Sequence, residues 1–398
     1  KSVLANLPSN PRIIASGNFA TPNTLLDVAD KTIPEFRLHM LNAQPGIPDR
    51  EGITYETAFV GHGMRRHPRL HYIPSRLSMV PILFRDHYAP DVVLLHTSGR
   101  RDGTVSLGTE VNILPAAIEA AKANGGIVIA QANAQMPYTF GDSQLYEDEI
   151  DYLIEVDEPL ATKPATNFND ETRQIGVLIS QRITDGSTLQ LGIGAIPDSV
   201  LNALGTRKDL RIWTEMFSDG VLELHRRGAL NDQVPITASF VFGGTELYQW
   251  LNLNHSVRML RTEQTNDPGQ IARQTKMTSI NAALQVDLYD QANASHVRGE
   301  IYSGFGGSTD FIVGALHSKG GASFMALQSW HPKAQQSSIV PRLTENVTSF
   351  QHSYVVTENG VADIFGHSQK QQARNLIEEA AHPLVREELR EAARALGI

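Results

Sequence analysis

The sequence predicts an α/β protein of two similar open α/β domains, with the active site in the cleft between them. Short apolar runs alternate with amphipathic stretches along the whole chain, the pattern of parallel strands joined by helices. The 398 residues suit two domains or one large one. A stretch with two prolines and little apolar periodicity, 158–172, reads as a linker between two sets of such elements. The domains are therefore expected over 1–165 and 166–398, and clefts between domains are common ligand sites.

The elements follow in order. Arg12–Gly17 reads as a buried strand ending in a glycine turn. Asp91–Leu95 and Gly126–Ala130 read the same way, with helical spacing from Ile113 to Ala123 between them. Beyond the linker, Asp170-Glu171-Thr172 leads into a helix marked by Ile175, Val177, Leu178, Ile179 and Ile183. Further strands are predicted at 187–191, Leu210–Trp213, Ile236–Phe242 and Ser353–Thr357. The closing segment, Ala373–Ala395, is rich in Glu, Arg, Leu and Ala and reads as helix, interrupted at His382-Pro383.

Composition narrows the function. With 34 Lys+Arg against 43 Asp+Glu, the net charge of −9 argues against binding nucleic acid through sheer positive charge. The chain has no cysteine, which excludes disulfides, cysteine nucleophiles and thiolate metal sites. No apolar run is long enough to span a membrane, and Lys1–Asn10 lacks a signal-peptide core. A cytoplasmic protein with neither nucleic-acid nor membrane partners is expected. Its natural N-terminus is expected to lie before Lys1.

Three motifs carry chemistry. The predicted strand 187–191 runs into Gly192-Ile193-Gly194-Ala195-Ile196-Pro197, and helical spacing follows. A strand-to-helix turn of this kind can offer backbone N–H groups and a positive dipole end to a phosphate or an oxyanion. It can equally be a tight turn that needs positive φ. Glu215 stands at the end of the next predicted strand, between Trp213-Thr214 and Met216-Phe217. There it is poorly solvated, which raises both its pKa and its nucleophilicity, and a carboxylate can attack an activated acyl group. A turn cap, or the partner of an arginine, accounts for it as well. Glu215 also fits a dinucleotide site, since an acid about 20 residues after G-x-G binds ribose hydroxyls; Pro197 in place of the third glycine speaks against that reading. The third motif is Gly304-Phe305-Gly306-Gly307-Ser308-Thr309-Asp310-Phe311, with Ser318-Lys319-Gly320-Gly321 soon after. Its glycines allow close approach to an extended ligand, and Lys319 can meet a phosphate as a point charge.

Taken together these segments resemble the acetyl-CoA hydrolase/transferase family of class I CoA-transferases, and most of all its 4-hydroxybutyrate CoA-transferase branch. The matching stretches are S-T-L-Q-L-G-I-G-A-I-P-D-S-V at 187–200, T-E-M-F-S-D-G-V at 214–221 and Y-S-G-F-G-G-S-T-D-F at 302–311. S-K-G-G at 318–321, Y-V-V-T-E-N-G-V-A at 354–362 and A-H-P at 381–383 extend the match. In the first half, S-G-N-F-A-T-P at 16–22 and N-A-Q-M-P-Y-T-F-G-D-S at 133–143 complete it.

The resemblance implies two domains of CoA-transferase type and a catalytic glutamate at Glu215. It implies an oxyanion and substrate region at Gly192, Gly194, Asn266 and Gly307, and CoA contacts from Ile193, Ala195, Gly304, Phe305, Gly306 and Lys319. Asn266, before Asp267-Pro268, can be either an acyl contact or a turn residue. Coenzyme A is then a substrate, alongside a small carboxylic acid such as acetate. No permanently bound cofactor and no metal are expected. A homodimer or higher homo-oligomer is implied too. Ser308-Thr309 stand where Gln-Val is common, and Asn359 where Tyr is common, which leaves acyl specificity open. The opening segment is shorter than is usual in the family.

The implied reaction is ping-pong transfer through a thioester on Glu215, with carboxylates already ionised near neutrality. A hydrolase uses the same site with water as acceptor. A nicotinamide oxidoreductase and a non-catalytic ligand sensor are the readings outside it. His62, His67 and His71 are close enough in sequence to suggest metal binding, without an accompanying carboxylate pattern. Arg65, Arg66, Arg69, Arg100 and Arg101 are candidates either for CoA phosphates or for surface ion pairs.

Overall fold

The computed structural model describes residues 3–164, 166–347 and 351–398. The chain divides into two compact units.

Unit 1 comprises Lys1–Pro164, Pro235–Thr265 and Glu300–Gly306. Its main sheet holds β1 (Arg12–Ala15), β2 (Phe36–His39), β3 (Ile53–Thr57), β4 (Leu70–Tyr72), β5 (Val92–Ser98), β6 (Ile127–Asn133) and β7 (Tyr152–Val156). They stand in the order β7-β6-β5-β1-β2-β3-β4, every pair parallel. The chain builds outward from β1 to β4 and then returns to the other side of β1 with β5. That reversal is the point where open α/β sheets form ligand crevices. Its helices include α1 (Asn23–Thr32) and α2 (Leu114–Ala123). Ile13, Leu26, Phe36, Leu38, Ile53 and Tyr55 form the middle of the core. β5 is buried along its whole length, as a parallel strand covered on both faces must be. It outlasts its apolar run because His96 and Ser98 stay in register with Gln131 and Asn133.

Two later segments return to this unit. Ile236–Ala238 pairs parallel with Val257–Met259, which in turn pairs with Phe140–Gly141. The single strand expected over Ile236–Phe242 is broken at Ser239, whose carbonyl accepts from Val111 N–H and Asn112 N–H. Gly304 bridges Phe59, and Gly306 O accepts from Leu77 N–H at 2.9 Å, which holds the second segment.

Unit 2 comprises Ala165–Val234, Asn266–Gly299 and Gly307–Ile398. Its elements are α3 (Asp170–Ser180), β8 (Thr188–Leu191), α4 (Ala195–Ala203), β9 (Arg211–Ile212), α5 (Asp219–Arg226), α6 (Pro268–Ala272), β10 (Met277–Ala282), α7 (Ser308–His317), β11 (Ala322–Ala326), β12 (Tyr354–Thr357), β13 (Gly360–Asp363) and α8 (Arg386–Leu396). The strand order is β9-β8-β10-β11-β12-β13. All neighbours are parallel except the β12–β13 hairpin. Here the reversal falls at β8, between β9 and β10. Asn169 starts α3 by accepting from Thr172 N–H at 2.9 Å. The closing helix breaks between Ala380 and Pro383, where His382-Pro383 predicts it. Among the described residues no helix is long and apolar enough to cross a membrane.

Candidate active site

The site is built at the carboxyl ends of the unit 2 strands. β8 runs straight into the Gly192 turn, and β9 leads through Trp213 and Thr214 to Glu215. Glu215 Oε2 accepts a hydrogen bond from Asn266 Nδ2 at 2.6 Å. Asn266 has no exposed surface. The turn before Pro268 does not need its side chain, because Asp267 caps α6 by accepting from Gln270 N–H at 2.6 Å. The amide is thereby left for the glutamate.

Gly307 completes the group. It precedes the first residue of α7, and a Cβ there would fall on Glu215 Oε2 and Asn266 Nδ2. Its φ is −107°, open to any residue, so glycine is required for space and not for backbone freedom. Asp310, buried in the first turn of α7, is a further charged neighbour of Glu215. Burial pushes the Glu215 carboxyl up to about 7; the Asn266 hydrogen bond works against this and the Asp310 charge adds to it. The expectation of a carboxylate already ionised near neutrality therefore needs correcting: in the free protein Glu215 titrates close to neutral pH.

In the glycine turn after β8, the Gly192 N–H is already taken, donating to Ile280 O at 2.9 Å and extending the β8–β10 ladder. Gly194 has φ +124° with open space around it and caps α4, a conformation that only glycine adopts without strain. Between them Ile193 is 42% exposed, a large apolar side chain presented to solvent. Ala195 is the first residue of α4, and Pro197 lies in its first turn.

The G-F-G-G motif is divided: Gly304, Phe305 and Gly306 belong to unit 1 and Gly307 to unit 2. Gly304 packs directly on the Ala58 and Phe59 backbone. Lys319 is exposed at the far end of α7, beside the amino end of β11, whereas Glu215 and Gly192 lie at carboxyl ends. There Ser318 bonds Gln274 O and Met277 N–H, which gives the S-K-G-G segment a role in joining α7 to the sheet.

The arginine candidates all have intramolecular partners. Arg65 lies 3.6 Å over the Tyr302 ring and donates to Tyr302 O. Arg66 pairs with Glu300, and Arg69 with Asp49. Arg100 approaches Glu147 and Glu155, and Arg101 approaches Asp102. Of the histidines, His67 meets Asp49 and His62 meets Arg65. Among the described residues no group of three or more His, Asp or Glu is placed to hold a metal ion.

Sequence reasoning did not single out Asp310. Its signal is an acid three residues after Gly307 and directly before the apolar run Phe311-Ile312-Val313, where an exposed helix would carry it outward.

Comparison with known proteins places the chain among the acyl-CoA:carboxylate CoA-transferases, and the protein is an enzyme of that class. The chain belongs to the acetyl-CoA hydrolase/transferase family. The N-terminal domain model of that family matches residues 41–163 and its C-terminal domain model residues 243–393. A 4-hydroxybutyrate coenzyme A transferase of Clostridium kluyveri is 35% identical over 98% of this chain and 95% of its own length. A succinyl-CoA:acetate/propanoyl-CoA:succinate CoA transferase of Fasciola hepatica is 34% identical over 97% and 85%. The crystal structure of RipA from Yersinia pestis superposes with a TM-score of 0.93, at 28% identity, over 100% of this chain and 96% of that one.

Proposed function

We propose that the protein moves CoA between an acyl-CoA and a small carboxylic acid through a thioester on Glu215. The observation that carries this reading is the Glu215–Asn266–Gly307 group: a desolvated carboxyl, held by one amide and packed against a glycine at a helix start. A carboxylate in that setting is a poorly solvated nucleophile able to attack an activated acyl group.

Four steps balance the transfer. A Glu215 oxygen attacks the thioester carbonyl, expelling CoA thiolate and leaving an acyl-glutamyl anhydride. The thiolate attacks the glutamyl carbonyl of that anhydride, releasing the first carboxylate and leaving glutamyl-CoA. The incoming carboxylate attacks this thioester, forming a second anhydride and freeing the thiolate again. The thiolate then attacks the new acyl carbonyl, which regenerates the Glu215 carboxylate. No proton has to move within the cycle, but Glu215 must begin ionised. Asn266 Nδ2 orients one carboxyl oxygen and leaves the other to react. The two curated relatives act on different acids by their names, so the acids used here stay open between acetate, other short-chain acids and hydroxylated or dicarboxylic ones.

The test is intact mass after mixing with a panel of acyl-CoA thioesters, for wild type and Glu215→Ala, with and without added acetate. A CoA-sized adduct on wild type, discharged by acetate and absent from the variant, is expected. Free CoA accumulating without adduct or acceptor dependence would favour hydrolysis at the same site. An adduct of equal yield on Glu215→Ala would refute the assignment of the nucleophile.

A further inference from the structure

We propose that Thr214 is a positioning residue for Glu215, an inference that rests on Glu215 being the nucleophile. Thr214 is fully buried although polar. It stands just past the end of β9. Trp213 N–H still donates to Leu189 O at 3.1 Å, the last backbone rung between β8 and β9. At the next rung no carbonyl is in place, and Leu191 N–H donates instead to Thr214 Oγ1 at 3.1 Å. The same hydroxyl donates to Met216 O at 2.8 Å, with Leu191 O a longer alternative acceptor at 3.4 Å.

One hydroxyl therefore ties together the two motifs of the site. It accepts from the residue directly before the Gly192 turn and donates to the carbonyl directly after Glu215. The closure from Thr214 Oγ1 to Met216 O spans Glu215 and fixes its backbone dihedrals, and with them the direction in which its side chain leaves. The 2.6 Å bond to Asn266 depends on that direction. A hydroxyl that only satisfied Leu191 N–H would not need to reach across the glutamate. Valine copies the shape of threonine and removes both bonds, so Glu215 is free to turn while the packing volume is kept. Serine keeps the hydroxyl.

The experiment compares Thr214→Val and Thr214→Ser with wild type, using acetyl-CoA as donor and propionate as acceptor, with Glu215→Ala alongside. Thr214→Ala replaces the valine variant if that one does not fold. For Thr214→Val the expected kcat is lower by about 10- to 100-fold with KM for acetyl-CoA within about threefold, since misplacement acts on the reacting geometry. The acid limb of kcat/KM should also move to higher pH, because the Asn266 bond that holds the Glu215 pKa down is weakened. Thr214→Ser should bring both kcat and the limb back to within about threefold of wild type. The inference is overturned if Thr214→Val keeps wild-type kcat. It is also overturned if its lost activity scales with lost folded fraction while the pH limb stays put, or if a folded Thr214→Ser gives no rescue. Wild-type turnover by Glu215→Ala would instead overturn the nucleophile assignment itself, a separate result.

Discussion

Replacing Glu215 with glutamine should make the protein more stable, and by an amount that grows with pH. The carboxyl is raised from an ordinary 4.5 to about 7. Between those two values the folded chain holds a proton that the unfolded chain has released, so stability falls as pH rises through the interval and stays low above it. A shift of about 2.5 units at about 1.36 kcal/mol each gives a ceiling of about 3.4 kcal/mol at pH 8, against about 0.8 kcal/mol at pH 5. Solvent reaching part of this side chain screens the effect, and about half of that difference should remain, roughly 1–2 kcal/mol. Glutamine keeps an oxygen to accept from Asn266 Nδ2 and removes the repulsion with Asp310. Urea unfolding of wild type and Glu215→Gln at pH 5 and pH 8 reads the difference directly. A gain of the same size at both pH values, or no gain at pH 8, would refute the desolvation argument. The same ionisation sets activity: kcat/KM should fall with an acid limb near pH 7, and at pH 5 only about a hundredth of the free enzyme is ionised.

Gly307→Ala should fold, since its φ suits alanine, but the new methyl must push Glu215 Oε2 and Asn266 Nδ2 aside; formation of the Glu215 adduct should slow by about 100-fold, read by quenched-flow intact mass. His39 and His96 titrate in the opposite sense to Glu215. Burial holds both near 4, so the stability they permit is complete above about pH 6.5 and is lost as pH falls through 4. His39→Leu, at a site where neither ring nitrogen has a partner among the described residues, should flatten the acid side of the pH–stability curve by up to about 3 kcal/mol at pH 4; an unchanged slope would count against it. The Arg50 guanidinium closes the end of α1, donating to the Asp30 and Ile33 carbonyls, to Asp30 Oδ1 and to Pro34 O. Arg50→Lys cannot reproduce that fork, and urea unfolding should show a cost of about 1–2 kcal/mol with kcat unaltered.

Much of this architecture was legible because local chemistry and global fold agree. Apolar runs of four to seven residues became parallel strands, and Pro383 broke the closing helix where its missing N–H requires. The glutamate was legible for a physical reason as well: an acid flanked by Trp213, Thr214, Met216 and Phe217 is either useless or useful, and burial pushed it to about 7. What stayed hidden depends on chain path. Nothing in the run 235–265 says that Ile236–Ala238 will find Val257–Met259 and Phe140–Gly141, so that this stretch joins unit 1. Asn266 was ambiguous in sequence because two polar residues precede Pro268, and only the structure shows that Asp267 does the capping.

The contrast between Gly307 and Lys319 shows why nearness in sequence misleads. Both lie in one glycine-rich stretch, and both matched the same resemblance. A ten-residue helix separates them, which at about 1.5 Å per residue is about 15 Å. In a parallel sheet a helix that precedes a strand must end at that strand's amino edge, so its start lies toward the carboxyl edge. Gly307 is thereby delivered to Glu215 and Lys319 is carried away from it. If Lys319 touches the substrate at all, it can only touch a part of CoA remote from the thioester. Lys319→Ala should then raise KM for acyl-CoA while leaving the rate of adduct formation at saturation unchanged, and a slowed adduct step at saturation would contradict the placement.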